Sequence, residues 1–187
     1  MACRLVILAS GTGTIAQAII DAHELDIEVV AVLSDQVASQ VLERARTAGI
    51  PNECIPVGNS RNQWNSEIIE KTAAFEPDLV VSAGFMRILP PDFVHRFPTI
   101  NIHPSLLPDF PGAHAVRDAL AAGVLTTGST VHWVDAGVDT GPIITQMQVP
   151  VLPGDDEITL HERIKKIERG LMVTTIALIL PTLEQHV

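Results

Sequence analysis

Apolar residues along this chain fall into short unbroken runs that alternate with stretches of helical spacing. Residues 5–9 (LVILA) form the first run and lead into SGTGT at 10–14. A helical stretch over residues 15–22 follows, and then a second run, EVVAVLS, at 28–34. The sequence VASQVLERARTAG (37–49) predicts a helix stopped by Gly49 and Pro51. Ser60 and Gln63 have capping-box spacing and open a helix expected to reach about Phe75. DLVVSAG (78–84) reads as a third buried strand and TINIH (99–103) as a fourth. Residues 113–122 read as helix, with later strands at 129–135 (STVHWVD) and 143–151 (IITQMQVPV). Asp155 or Asp156 caps a last helix whose apolar stripe is Leu160, Ile164, Ile167 and Leu171.

Strands this apolar, separated by helices, imply a parallel sheet covered on both faces. The last two strands are joined by a loop, which predicts mixed or antiparallel pairing there. The expected fold is one α/β domain spanning residues 1–187, a Rossmann-like, mostly parallel twisted sheet with helices on both faces. Ligands of such sheets bind beyond the carboxyl ends of the strands. The residues that follow strands therefore matter most.

Composition narrows the partners. With 47% hydrophobic and 18% charged residues the chain opposes the disordered signature and has enough apolar material for a core. Twelve Lys and Arg against 22 Asp and Glu leave a formal charge of −10, which disfavours nucleic acid or an anionic membrane. A small anion remains admissible if backbone N–H groups hold it locally. Cys3 and Cys54 form no CxxC pair or zinc spacing, so a reducing compartment is expected. The first apolar run is too short for a signal peptide, and the uncharged run 170–183 is too short to span a bilayer. A cytoplasmic protein is expected.

The loop Ser10-Gly11-Thr12-Gly13-Thr14 joins the first strand to the first helix. Glycines there permit positive φ and close approach of the backbone to an anion, while the helix start offers unpaired N–H groups. Gly11-x-Gly13-x-x-Ala16 also fits a loose dinucleotide pattern, with Asp35 near the ribose-binding offset. A dinucleotide, a mononucleotide or sugar phosphate, and a tight turn without ligand all remain open.

The segment Asn101-Ile102-His103-Pro104-Ser105-Leu106-Leu107-Pro108 is more specific. Strand alternation puts Asn101 and His103 on one side with Ile102 opposite, and Pro104 and Pro108 restrict the exit. An amide N–H beside an imidazole suits acyl transfer, because both can stabilise the oxyanion of a tetrahedral intermediate. The loop Asp135-Ala136-Gly137-Val138-Asp139-Thr140-Gly141-Pro142 supplies a carboxylate to hold His103 charged; spacing alone admits Asp135 or Asp139. Aspartates in such loops also commonly make turn hydrogen bonds. His23, His95, His161 and His186 read as structural residues, and His132 as core or as support behind the catalytic set. Ser105 lies near His103, but no Gly-x-Ser-x-Gly elbow marks a nucleophile.

Taken in order, SGTGT, GFMRILPPDFV (84–94), NIHPSLLPDFPG (101–112), VHWVDAGVDTGPII (131–144) and HERIKKIERGL (161–171) carry a resemblance. Over residues 4–180 the chain resembles the phosphoribosylglycinamide formyltransferases, the glycinamide ribonucleotide transformylases of purine biosynthesis. The resemblance implies the formyltransferase fold and a catalytic set of Asn101, His103 and Asp139, with Asp139 preferred to Asp135. It implies transfer of a formyl group from the co-substrate 10-formyltetrahydrofolate to the primary amine of glycinamide ribonucleotide, without a metal. Gly11, Thr12, Gly13, Thr14 and Ile15 would take the acceptor's phosphate, and Lys165 and Glu168 its glycinamide part. Arg61, Met86, Arg87, Ile88, Leu89 and Val94 would line the folate side, together with Asn101, Asp135 and Val138.

Two departures stand out. Ile15 occupies a position that is Asn in many members, so phosphate binding there would rest on the backbone N–H. The chain ends at Val187, soon after its last expected helix. The N-terminal domain usual in formyltetrahydrofolate hydrolases and the C-terminal domain of methionyl-tRNA formyltransferases are not expected, and the phosphate loop favours a small phosphorylated acceptor. Hydrolysis of the formyl donor or formylation of a different amine is the nearest rival, and a non-catalytic nucleotide-binding module the more distant one. Partners are expected to be small molecules, with a homodimer as the open assembly. Arg61, Arg87 and Lys165 are the local cations expected to meet two anionic ligands against the net charge. Residues 108–114, with two prolines and a glycine, form a candidate lid.

Overall fold

A computed structural model of the chain describes residues 2–183. A seven-stranded sheet runs in the order β3-β2-β1-β4-β5-β6-β7. The strands are β1 (Cys3–Leu8), β2 (Ile27–Ser34), β3 (Asn52–Cys54), β4 (Leu79–Ser82), β5 (Thr99–His103), β6 (Thr126–Trp133) and β7 (Ile143–Pro150). β1 to β5 pair in parallel, while β6 is antiparallel to β5 and β7 antiparallel to β6. The loop-joined late strands thus pair as expected. β3 was not anticipated. It is three half-buried residues at the sheet edge, too short for periodicity to register.

Six helices fill the connections among the described residues: α1 (Thr14–Ile20), α2 (Gln40–Thr47), α3 (Arg61–Ala73), α4 (Pro91–Arg96), α5 (Ala115–Ala121) and α6 (Glu157–Leu183). α2 begins three residues later than its helical spacing predicts, after Ser39 in extended conformation. Ser60 Oγ accepts from the Gln63 N–H at 3.3 Å, the cap the Ser-x-x-Gln spacing required. Asp156 Oδ1 caps α6 through the Thr159 N–H at 2.8 Å. α4, six residues that the apolar spacing does not mark, begins on Pro91, whose fixed φ suits a first helical position. β6 starts earlier than predicted and ends at Trp133, which leaves Asp135 in the following loop. His186 lies outside the described residues.

Alternation along β1 builds two cores. Leu5 and Ile7 join Val32, Val81 and Ile100 beneath α1, α2 and the second half of α6. Val6 and Leu8 face the other way, toward Leu33, Val80, Trp64 and Ile68 of α3, and Phe93 of α4. All four β1 side chains are 0% exposed, each contributing about 1.5–3 kcal/mol by removal from water. A charge at Val6 would break this arrangement. No helix among the described residues is long and apolar enough to cross a membrane.

The order reverses between β1 and β4, since β2 and β3 follow one edge and β5 to β7 the other. That switch point opens a crevice at the carboxyl ends of the parallel strands, and the informative motifs emerge there.

Candidate active site

β5 presents Asn101 and His103 at that crevice, and β6 runs back beside it with His132 in register opposite Asn101. The loop after β6 then turns Asp139 onto both imidazoles. Asp139 Oδ2 lies 3.3 Å from His103 Nδ1, and Oδ1 lies 3.5 Å from His132 Nε2. The N–H of Gly112 donates to Asp139 Oδ2 at 2.8 Å. Burial pushes the Asp139 carboxyl up, but His132, the Gly112 N–H and the charge of His103 together bring it below its ordinary 3.8. It is an ionised carboxylate at neutral pH.

The surroundings of His103 suit a cation. Its Nε2 is 2.9 Å from the Phe110 carbonyl, an obligate acceptor, and its Nδ1 faces the carboxylate. Only the doubly protonated ring donates on both sides. Asn101 is held at both ends, with Oδ1 accepting from Ser82 Oγ at 2.7 Å and Nδ2 3.2 Å from His132 Nε2. Phe110 (φ 53) and Asp139 (φ 54) are two of only three non-glycine residues with left-handed φ among the described residues. Backbone strain of that kind concentrates where side chains must be aimed.

Asp135 has a different task. Its Oδ1 accepts from the Gly137 N–H at 2.9 Å and from Thr140 Oγ1 at 2.7 Å, which shapes the loop that carries Asp139. Ser105 is fully buried and its hydroxyl donates to the Asp109 carbonyl, so it is not a nucleophile.

A cavity of about 410 Å³ opens beside this set. Met86, Arg87, Ile88 and Leu89 line one side, and Val134, Asp135, Val138 and Asp139 another. Gly112, Ala113 and His114 from the candidate lid also border it. This volume is in the range that holds a small organic ligand. Met86, Ile88 and Val138 are exposed apolar side chains here, at 72%, 61% and 48%. Arg61 and Val94 do not line the cavity. Arg61 instead donates to the Ile88 carbonyl and lies over the Trp64 ring, while Val94 packs into the core. His161, read as structural from sequence, borders the cavity with Glu157. A larger depression of about 620 Å³ between α1 and α2 is lined mainly by aliphatic side chains such as Ile19, Ile20 and Leu25. It holds none of Asn101, His103 and Asp139, all three of which line the smaller cavity.

The glycine loop leads into α1 through Gly13 at φ 71, where a side chain would meet Val41 at 2.5 Å. The carbonyls of Gly11 and Thr12 are drawn away by the Val41 N–H and Arg44 Nε, at 3.2 and 2.8 Å. The backbone N–H groups of Gly11 to Ile15 donate to no atom among the described residues. Ile15 turns its side chain into the core at 9% exposure. Ser10 connects this loop to the cavity rim, because its Oγ accepts from the Met86 N–H at 2.8 Å.

The expected cations are already engaged. Arg87 Nε donates to Asp35 Oδ2 at 2.6 Å, and Asp35 also takes hydrogen bonds from Ser10 at 2.5 Å and Gln36 at 2.8 Å. The Asp35 side chain is fully buried, so its oxygens are committed within the protein rather than offered to a ribose. Lys165 Nζ pairs with Glu162 at 2.8 Å. Glu168 is buried, with Oε1 3.2 Å from Ser129 Oγ, which itself donates to the His103 carbonyl at 2.9 Å. Burial raises the Glu168 carboxyl, with Ser129 and Lys165 opposing.

Asn101, His103 and Asp139 thus meet at the switch point of a doubly wound sheet, beside a cavity large enough for a small organic molecule. The chain belongs to the formyl transferase family, whose model matches residues 3–176. It is 55% identical over 180 residues to phosphoribosylglycinamide formyltransferase of Mycobacterium tuberculosis, covering 93% of this chain and 83% of that protein. The trifunctional purine biosynthetic protein adenosine-3 of Drosophila melanogaster is 43% identical over 94% of this chain, which spans 14% of that longer protein. Among solved structures, glycinamide ribonucleotide transformylase 1 of Geobacillus kaustophilus superposes with a TM-score of 0.91 at 38% identity, over 96% of this chain and 100% of that one. That of Symbiobacterium toebii superposes at 0.90 with 42% identity, covering 93% and 85%.

Proposed function

We propose that this chain is a phosphoribosylglycinamide formyltransferase of purine biosynthesis, which moves the formyl group of 10-formyltetrahydrofolate onto the primary amine of glycinamide ribonucleotide. One observation carries the reading: Asp139 and the Phe110 carbonyl bracket His103 next to the carboxamide of Asn101. The 55% identity to a protein of that name supports it.

The acceptor's phosphate docks on the free N–H groups of residues 11–15, with Lys165 and Glu168 near its glycinamide part. The folate lies against Met86 to Leu89 and the loop of Asp135 and Val138, with Arg61 and Val94 supporting that wall from behind. The neutral amine attacks the formyl carbon, and the carbonyl oxygen becomes an alkoxide. Asn101 Nδ2–H and protonated His103 donate to that oxygen, while Asp139 keeps the imidazole charged. The attacking nitrogen then loses a proton, the folate nitrogen gains one, and collapse of the intermediate breaks the bond from folate nitrogen to formyl carbon. No covalent enzyme intermediate forms.

The test is a formyl-transfer assay with glycinamide ribonucleotide, run beside a water-only control. Formylated ribonucleotide should accumulate in step with tetrahydrofolate release. Donor turnover without a formylated amine would instead make the chain a hydrolase.

A further inference from the structure

Ser82 ends β4, a strand otherwise made of Leu79, Val80 and Val81. It is 5% exposed, and a hydroxyl so placed destabilises the fold unless it is hydrogen-bonded. Its partner is Asn101 Oδ1 at 2.7 Å, on the residue directly across the parallel β4–β5 pair.

The other end of that carboxamide lies against His132. His132 Nδ1 lies 2.8 Å from the Trp133 carbonyl, which only accepts, so Nδ1 carries the proton. His132 Nε2 lies between the Asn101 carboxamide, 3.2 Å from its Nδ2, and the Asp139 carboxylate, 3.5 Å from its Oδ1. The amide oxygen accepts from Ser82, which leaves the nitrogen end toward His132 and the cavity that Asn101 lines. Ser82 borders that cavity too, yet its single proton is committed to Asn101.

We propose that Ser82 is a positioning residue for formyl transfer. Its hydrogen bond holds the Asn101 carboxamide at the angle at which an Nδ2–H meets the developing oxyanion. This rests on the role given to Asn101 above and deepens it. Without the hydroxyl, the oxygen end loses its donor and the amide is free to turn about its Cβ–Cγ bond. Ser82 acts through Asn101 and does not itself engage the formyl group.

The test compares kcat and both KM values for Ser82→Ala, Ser82→Thr, Asn101→Ala and the Ser82→Ala/Asn101→Ala double variant, with melting temperatures alongside. Complete loss of an oxyanion donor is worth about 10²–10³ in rate, so loosening one should lower kcat by about tenfold in Ser82→Ala. Both KM values should stay within about twofold, and Ser82→Thr, which keeps the hydroxyl, should recover most of the rate. In the Asn101→Ala background, removing Ser82 should have no further effect on kcat. Wild-type kcat in Ser82→Ala overturns the proposal, with or without a lower melting temperature. So does an undiminished tenfold loss in the Asn101→Ala background. Wild-type kcat in Asn101→Ala is a separate outcome, and it overturns the role of Asn101 itself.

Discussion

The carboxylate of Asp139 lies 3.3 Å from His103 Nδ1, while the opposite ring nitrogen faces the Phe110 carbonyl at 2.9 Å. Both ring nitrogens thus face acceptors, and the proposed mechanism uses the ring in its doubly protonated form. Nε2 is the nitrogen not held by the carboxylate, and in the proposed mechanism it is the one that would donate to the oxyanion. Replacing Asp139 with Asn or Ala, or His103 with Ala, should lower kcat on the order of a thousandfold with the fold retained by circular dichroism. An Asp139→Ala enzyme with near-wild-type kinetics would remove that residue from the mechanism.

Asp139 also links the site to acid stability. Its carboxyl is depressed below 3.8, so its contribution is present above that value and fades as the pH falls through the folded-state value. Urea unfolding between pH 6 and about 3 should show a steeper acid loss in the wild type than in Asp139→Asn. Parallel curves for the two would mean the carboxylate is not held as the geometry requires.

Glu168 predicts the opposite slope. Burial raises its carboxyl above 4.5, so it favours the folded state most below that value. The advantage is lost as the pH rises through the raised value. Glu168→Gln keeps a partner for Ser129 and should match the wild type near pH 4 but exceed it in melting temperature at pH 7–8. A lower melting temperature at pH 8, measured without ligands, would contradict the assignment.

Asp35 ties the glycine loop to the cavity wall by holding Ser10 and Arg87 together. Burial raises its carboxyl, and hydrogen bonds from Ser10, Arg87 and Gln36 outweigh that to hold it below 3.8. Asp35→Ala leaves those donors without their acceptor and should reduce stability by about 2 kcal/mol in chemical denaturation. Both substrate KM values should rise, because one residue braces both loops. A change confined to one substrate would show the loops to be independent.

Ligand-dependent melting separates the enzyme from a nucleotide-binding module. Glycinamide ribonucleotide and a folate analogue should each raise the melting temperature, by about 2.7 kcal/mol of stabilisation at a hundredfold excess over Kd. NAD should leave it unchanged, since the Asp35 carboxylate is occupied within the protein. Stabilisation by NAD alone would reverse the reading.

Much of this was legible in one dimension. The alternation of apolar runs and helical stripes determined the layered sheet, because a strand buried on both faces must be apolar throughout. Asn101-Ile102-His103-Pro104 announced its own geometry, since strand period and proline are local constraints. Long-range choices were not local. Asp135 and Asp139 are equivalent by spacing, and only the fold turned one into the loop and the other onto His103. The engagement of Arg87 by Asp35, and of Asn101 by Ser82 and His132, depends on which strands lie side by side. Ser82 did leave a trace, as the one hydroxyl in an apolar strand. The sequence by itself determined the layers and the chemistry available; the tertiary structure decided which charges meet, because pairing across 19 to 52 residues is set by sheet order and register.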